Sequence, residues 1–125
     1  MSVIVTDQGF GPDICADWVD LAPDAPPESL PALAREARAI RIAFPAFADG
    51  RGFTLASMLR RAGFSGRLRA AGHVLADQYA MARRAGFDEV EIPQALASRQ
   101  PEAQWLARAD WRGHDYRAGL RQRAG

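Results

Sequence analysis

A chain of 125 residues, 48% apolar and 25% charged with a net charge of +1, has the size and composition of one soluble globular domain. These values exclude a largely disordered, collagen-like or coiled-coil chain, and no apolar stretch approaches the roughly 18–20 residues of a membrane span. The first residues lack the basic region of a secretory signal, so we expect a cytoplasmic protein with no membrane partner.

The first 28 residues are acidic and carry weak signs of regular structure. Short apolar runs predict strands at 3–6 and 17–21, whereas residues 8–12 predict a turn. Residues 1–33 contain six acids and no base, while the rest of the chain holds 16 arginines and nine acids. We therefore predict an irregular acidic segment over 1–28, whose charges either pair with the basic remainder or face partners.

From residue 29 onward, the hydrophobic pattern alternates between helix and strand. Alternating apolar residues predict strands at 39–44, 66–71 and 88–92. Helical stripes predict helices that begin after Ser29, after Thr54 and at Val74. Short crossovers of this kind lay strands parallel in one sheet. We therefore predict one α/β domain whose core spans 29–109, with a small parallel sheet and flanking helices, open or shaped like part of a (βα) barrel.

One short motif occurs twice, because Arg-Arg-Ala-Gly-Phe stands at both 60–64 and 83–87. Each copy predicts a helix end closed by glycine, followed by a phenylalanine that packs back on the helix. Recurrent helix-to-strand turn chemistry explains this repeat better than gene duplication does. After Pro93, the pattern predicts a helix over 101–109 and an arginine-rich tail over 110–125.

The numbers of cysteine, histidine and lysine residues exclude several kinds of catalytic and metal-binding site. The one cysteine, Cys15, excludes an intrachain disulfide and a thiolate cage, and two histidines are too few for an ordinary multi-histidine metal site. No lysine is present, which excludes a Schiff-base lysine and a P-loop lysine. The Gly50-Arg51-Gly52 loop lacks the third glycine of a dinucleotide fingerprint. We therefore predict no metal and no cofactor.

Two glycine-bearing loops, at 49–52 and 71–73, follow predicted parallel strands. Ligands bind outside the carboxyl ends of such strands, and each loop opens a helix with free backbone N–H groups that suit an anion. Arginine adds a planar fork matched to oxyanions. The sequence therefore predicts an anion-binding site made of Arg51, Gly52, Arg69, Gly72 and His73.

Each of these residues also has a purely structural interpretation. Asp49 fits a tight turn in which its side chain bonds its own backbone, and Arg69 fits a salt bridge. His73 fits a solvated or capping residue. Asp49 and Asp77 are the carboxylates that a small enzyme acting on an anionic metabolite would use as acid or base, beside arginine clamps. Both interpretations stay open at this point.

Three motifs carry a resemblance to a known family. They are Phe-Pro-x-Phe-x-Asp-Gly-Arg-Gly-Phe at 44–53, Leu-Arg-Ala-x-Gly-x-Val-Leu-x-Asp-Gln at 68–78, and Arg-x-Gly-Phe-Asp at 84–88. With them, the chain from about residue 17 to 92 resembles the bacterial domain of unknown function 934 family. Members of that family are commonly encoded beside the haemoprotein subunit of assimilatory sulfite reductase, and some are labelled probable oxidoreductases.

The resemblance implies a role in sulfite or nitrite reduction and in cysteine supply. Together with the predicted anion site at Arg51 and Arg69, it favours an accessory protein that docks on the reductase haemoprotein and holds a small oxyanion. The small enzyme named above is the alternative, and a homodimer that completes the sheet is a further open possibility. We expect no nucleic-acid partner, because nucleic-acid binding usually needs a larger positive excess than a net charge of +1.

Overall fold

The structure, a computed structural model, describes residues 2–14 and 16–112. The strands in these ranges are β1 Ser2–Thr6, β2 Gly9–Gly11, β3 Trp18–Leu21, β4 Ala39–Phe44, β5 Arg67–Gly72 and β6 Glu89–Pro93. The helices are α1 Leu30–Glu36, α2 Arg51–Arg61, α3 Tyr79–Ala85, α4 Gln94–Arg99 and α5 Glu102–Leu106. Turns of 3-10 helix at Pro27–Ser29 and Ala76–Gln78 lead into α1 and α3. Most of the predicted tail lies outside the described residues.

The strands form one sheet in the order β2-β1-β6-β5-β4-β3. Strands β3 to β6 are parallel, whereas β1 pairs antiparallel with both β6 and β2. The predicted open α/β sheet with flanking helices is confirmed, and the sheet does not close into a barrel. The stretch 8–12, predicted to be a turn, instead contains β2. The segment 1–28, expected to be irregular, supplies three of the strands.

Helices α1, α2 and α3 each connect one parallel strand to its neighbour. Right-handed crossovers in one direction place all three helices on the same face of the sheet. Alternate strand residues on that face, including Ile40, Ile42, Leu68 and Val90, are fully buried in the main hydrophobic cluster. The residues between them project from the opposite face, which is lined by charged side chains on β4, β5 and β6.

Helix boundaries differ from the prediction in three places. Helix α2 begins at Arg51, before the predicted Thr54 cap, because the Asp49 carboxylate accepts the Arg51 backbone N–H and opens the helix earlier. The predicted helix over 74–85 is a 3-10 turn followed by α3. The predicted helix over 101–109 is shorter, and α4 before it was not predicted because six residues are too few to show a helical period.

The two Arg-Arg-Ala-Gly-Phe copies end α2 and α3 in the same way. Arg60 donates to the Phe64 carbonyl over 2.9 Å, and Arg83 donates to the Phe87 carbonyl over 2.6 Å. The glycine between them has a positive φ in both copies. The first arginine of each copy therefore closes a helix end, which is the turn chemistry expected from the sequence.

Half of the acids in the N-terminal segment pair with arginines of the basic remainder, which is one of the two arrangements the sequence left open. The pairs are Asp7 with Arg83, Asp13 with Arg69, and Asp20 with Arg41. Hydrogen bonds from these arginines lower the pKa of Asp13 and of Asp20. Burial would raise the pKa of Asp7, but hydrogen bonds from Tyr79, Trp111 and Arg83 outweigh it, and the net pKa is lowered.

We expect the free energy of unfolding to fall as the pH is lowered from about 5 to about 2. A carboxyl group whose pKa is lower in the folded protein than its ordinary value of 3.8 stabilises the fold above that pH. That stabilisation is lost as the pH falls through the folded-state pKa. Urea titrations across this range measure the slope, and Asp7→Asn should flatten it. An identical slope in the two proteins would contradict the assignment to Asp7.

Candidate functional site

The carboxyl ends of β4, β5 and β6 meet at one edge, which we call the carboxyl rim and define as residues 45–50, 73–75 and 93–99. Hydrogen bonds hold its loops together. The His73 backbone N–H donates to the Phe44 carbonyl over 2.8 Å, and the Gln78 side-chain amide donates to the Phe47 carbonyl over 2.9 Å. The two glycine-bearing loops of the sequence therefore lie side by side.

Gly52 and Gly72 bring these loops close to Phe44. A Cβ at Gly52 would lie 2.5 Å from the Phe44 ring, and a Cβ at Gly72 would lie 2.5 Å from the Phe44 carbonyl oxygen. Gly72 also has a φ of +122°, which side-chain-bearing residues rarely adopt. Close packing accounts for both glycines, while anion binding by their backbone stays a prediction.

Arg51 follows the rim loop 45–50 as the first residue of α2, and its guanidinium contacts the Asp49 carboxylate. Its Nε and Nη2 atoms donate to the two oxygens of that carboxylate over 3.0 and 2.8 Å. The side-chain hydrogen bonds from Arg51 lower the pKa of Asp49, and the backbone hydrogen bond from the same residue adds to this effect. Asp49 is therefore an ionised turn residue with little tendency to hold a proton, as the structural interpretation of this loop expects.

Arg69 is not brought to the rim. Alternation along β5 points its side chain to the face opposite helices α1, α2 and α3, where it is fully buried. Its guanidinium donates to Glu89 over 2.7 and 3.0 Å and to Glu91 over 2.7 Å, and Asp13 accepts a further hydrogen bond over 2.9 Å. The Trp18 ring covers it, with 4.3 Å between Cζ and the ring centroid. Its observed role is an ion cluster within the fold.

A cavity of about 210 Å³ opens at the carboxyl rim beside His73. Its walls are Phe47, His73, Pro93, Ala95, Leu96 and Arg99. The Phe47 and His73 rings meet edge to face with 5.2 Å between centroids. Among the described residues, neither the His73 imidazole nor the Arg99 guanidinium has a hydrogen-bond or ion-pair partner. The cavity therefore joins an exposed guanidinium and an exposed imidazole, each without a described partner, to apolar walls.

The family can be assigned with this geometry in place. The model of the bacterial protein family of unknown function DUF934 matches residues 18–124 of the chain. The chain belongs to this family. No curated protein and no solved structure matches the chain. Two of the motifs that carry the resemblance, at 44–53 and 68–78, supply the loops of the carboxyl rim.

Of the residues that line the cavity, the sequence predicted only His73 as a site residue, and the charged residue that it missed is Arg99. It ends α4, which follows directly from Pro93 and buries Leu96 and Ala97. The sequence signal for α4 was a proline at the end of a strand, followed by adjacent apolar residues. A proline there is typical of a helix start, but the apolar stretch is too short to show a helical period. The Gln100 side chain then accepts the Ala76 backbone N–H over 2.6 Å, which ties the end of α4 to the His73 loop.

Asp77, the second carboxylate singled out in the sequence, does not line the cavity. Its side chain is 80% exposed and accepts a hydrogen bond from Arg108 over 2.7 Å. Among residues 2–14 and 16–112, no group of three or more His, Cys, Asp or Glu side chains is placed to hold a metal ion. No helix in those ranges has the length and apolarity needed to cross a membrane.

Proposed function

We propose that this protein is an accessory protein of assimilatory sulfite or nitrite reduction, which binds a small oxyanion at the carboxyl rim and docks on the reductase haemoprotein. The observation that carries the binding part is the cavity in which Arg99 and His73 lie without a described partner. The family resemblance supports the link to sulfite reduction.

The chemistry of the cavity suits an oxyanion. A guanidinium donates two parallel N–H groups to two oxygens of one anion, and Arg99 places such a group at the wall of the cavity. The His73 imidazole supplies another N–H donor. Leu96 is buried and Phe47 is 38% exposed, so apolar walls line one side of the cavity and strengthen the attraction between opposite charges there. A volume of about 210 Å³ holds a sulfite-sized ion with several waters, since each water occupies roughly 30 Å³.

The placement of the carboxylates supports binding over acid–base chemistry at this cavity. Asp49 is held in a two-point contact by Arg51, and Asp77 contacts Arg108 in solvent. Neither lines the cavity. An enzyme that used either group as acid or base would first have to break an arginine contact or move the residue to the substrate.

We expect Arg99→Ala to weaken sulfite binding by at least about tenfold, because hydrogen bonds to a charged group contribute about 1.5–3 kcal/mol each. Calorimetric titration of the full chain with sulfite, sulfate and nitrite measures the change. Arg108→Ala is the matched control, since it removes an arginine whose contact with Asp77 is well exposed and outside the cavity. Sulfite binding that survives Arg99→Ala undiminished would contradict the proposed site.

The same variant extends the test to the cell. A strain without the gene should grow normally on cysteine and poorly on sulfate, and the unaltered gene should restore growth on sulfate. The gene carrying Arg99→Ala should not restore it, although the variant protein accumulates to the same level. Full growth of the deletion strain on sulfate would contradict the proposed role.

A further inference from the structure

Exposed arginines gather at the edge of the molecule opposite the carboxyl rim. Helices α1, α2 and α3 run antiparallel to the strands, so their carboxyl-terminal ends lie together at the amino edge of the parallel strands. Helix α2 packs against both of its neighbours. We define the arginine edge as the exposed residues at and just after these helix ends, Arg35, Arg38, Arg61 and Arg84.

Helix capping does not account for these four residues. The capping work is done by Arg60, which donates to the carbonyls of Phe64, Gly66 and Gly86 and to the Asp88 carboxylate. Arg83 does the same for the end of α3. Arg84 gives one N–H to the Trp111 carbonyl, while the guanidinium groups of Arg35, Arg38 and Arg61 have no partner among the described residues. The arginine edge therefore carries positive charges that make no ion pair with the described residues of the fold.

A groove between α2 and α3 lies within this edge. Its volume is about 640 Å³, and Arg61 and Arg84 line it together with the hydroxyl-bearing residues Thr54 and Ser57. The Ser57 hydroxyl donates to the Ala85 carbonyl over 3.4 Å, which ties the two helices across the groove. Two exposed guanidinium groups and a hydroxyl row in one groove are suited to several carboxylates at once.

We propose that the arginine edge docks an acidic segment of a partner protein, with carboxylates seated between Arg61 and Arg84. This deepens the proposed function and rests on it for the identity of the partner, the reductase haemoprotein. Charge complementarity carries the assignment. Arginine forks bind carboxylates through paired hydrogen bonds, and exposed charges at an interface mainly accelerate association and fix orientation.

The surroundings of the edge favour an acidic protein over nucleic acid. Glu36 stands between Arg35 and Arg38 in the sequence, and Asp88 pairs with Arg60 of the groove, so a continuous phosphate backbone laid along the edge would pass both carboxylates. A duplex presents a charge about every 1.7 Å, so it cannot avoid them, whereas a protein segment places its carboxylates at chosen points. The net charge of the chain is only +1.

The test uses the full chain and the purified reductase haemoprotein, with binding measured at low and high salt. We expect the double variant Arg61→Glu and Arg84→Glu to weaken binding at least about tenfold, mostly through slower association, and to abolish the salt dependence. The control, Arg108→Glu, makes the same charge reversal at a single exposed arginine outside the edge. It should bind within about twofold of the unaltered chain. A second double variant, Arg61→Gln and Arg84→Gln, removes both charges without reversing them. It provides the same test if the glutamate variant does not fold.

The outcomes separate this inference from the proposed function. If the unaltered chain and the double variant bind the reductase equally well, the arginine edge is not the docking surface. The proposal that the protein docks on the reductase is then unaffected. If the reductase does not bind the unaltered chain, the proposal that the protein docks on it is wrong. Binding of a decaglutamate peptide then tests whether the arginine edge recognises carboxylates. Peptide binding that the double variant loses supports the edge, and no peptide binding overturns it. Binding of duplex DNA without binding of the peptide also overturns it, in favour of nucleic acid.

Discussion

Replacing Arg69 with methionine should lower the free energy of unfolding by about 2–3 kcal/mol. The substitution removes a fully buried guanidinium that contacts Glu89, Glu91 and Asp13. Glu89 is 7% exposed, so its charge cannot return to water when Arg69 is lost. Arg67 still donates to Glu89 Oε1, but the buried Oε2 atom loses both of its donors, and a buried polar atom without a partner costs more than the intact contact contributes. Urea denaturation followed by circular dichroism measures the loss.

Two comparisons make the Arg69 experiment decisive. Arg108→Met removes an exposed arginine from an exposed pair with Asp77, and it should cost less than about 1 kcal/mol. Adding Glu89→Leu to Arg69→Met removes the carboxylate oxygen that lost its donors, and the Arg67 side chain, which is 34% exposed, can be hydrated, so the double variant should be more stable than Arg69→Met alone. A loss for Arg69→Met no larger than that of the Arg108→Met control would show that the ion cluster contributes little to stability.

Gly72→Ala should destabilise the fold by about 3 kcal/mol or more and should also weaken oxyanion binding. The φ of +122° costs an alanine about 1–3 kcal/mol, and its Cβ would lie 2.5 Å from the Phe44 carbonyl oxygen on the adjacent strand. Relief of that clash separates the ends of β4 and β5. The Phe47 and His73 walls of the cavity follow these strands, so the cavity loses its shape.

Gly50→Ala is the matched control for Gly72→Ala. Gly50 belongs to the same rim, has a φ of −86° and would present its Cβ to open space. Its substitution should change stability by less than about 1 kcal/mol. Thermal unfolding and sulfite titration of both variants provide the measurements. Similar behaviour of the two variants would contradict the role assigned to the Phe44 contact.

The part of the fold that sequence predicted best is the parallel core. Ile40, Ile42 and Phe44 alternate with less apolar residues, and the predicted strand over 39–44 has the bounds that the structure shows for β4. Gly86 ends α3 in a left-handed conformation, as its position after a helical stripe predicts. The neighbouring positions of the two rim loops follow from one rule, that adjacent parallel strands end at the same edge.

The features that the sequence did not predict depend on contacts between residues that lie far apart in the chain. Alternation along the strand predicts that the side chains of Leu68 and Arg69 project from opposite faces of the sheet. The contacts of Arg69 with Glu89 and Asp13 arise only in the tertiary fold. Strand β2 consists of three residues, two of them glycine, and is defined by pairing with β1 instead of by its own pattern. Arg99 was missed because α4 is shorter than two helical turns, so its helix has no periodicity to read.

A sulfite-soaked crystal of the full chain tests the proposed site most directly. We predict an anion in the rim cavity, with oxygens about 3 Å from the Arg99 guanidinium and the His73 ring, and with the contact between Arg51 and Asp49 intact. A saturated crystal with no ordered anion between Arg99 and His73, or with the anion on Arg51 after it has left Asp49, would contradict the site at Arg99.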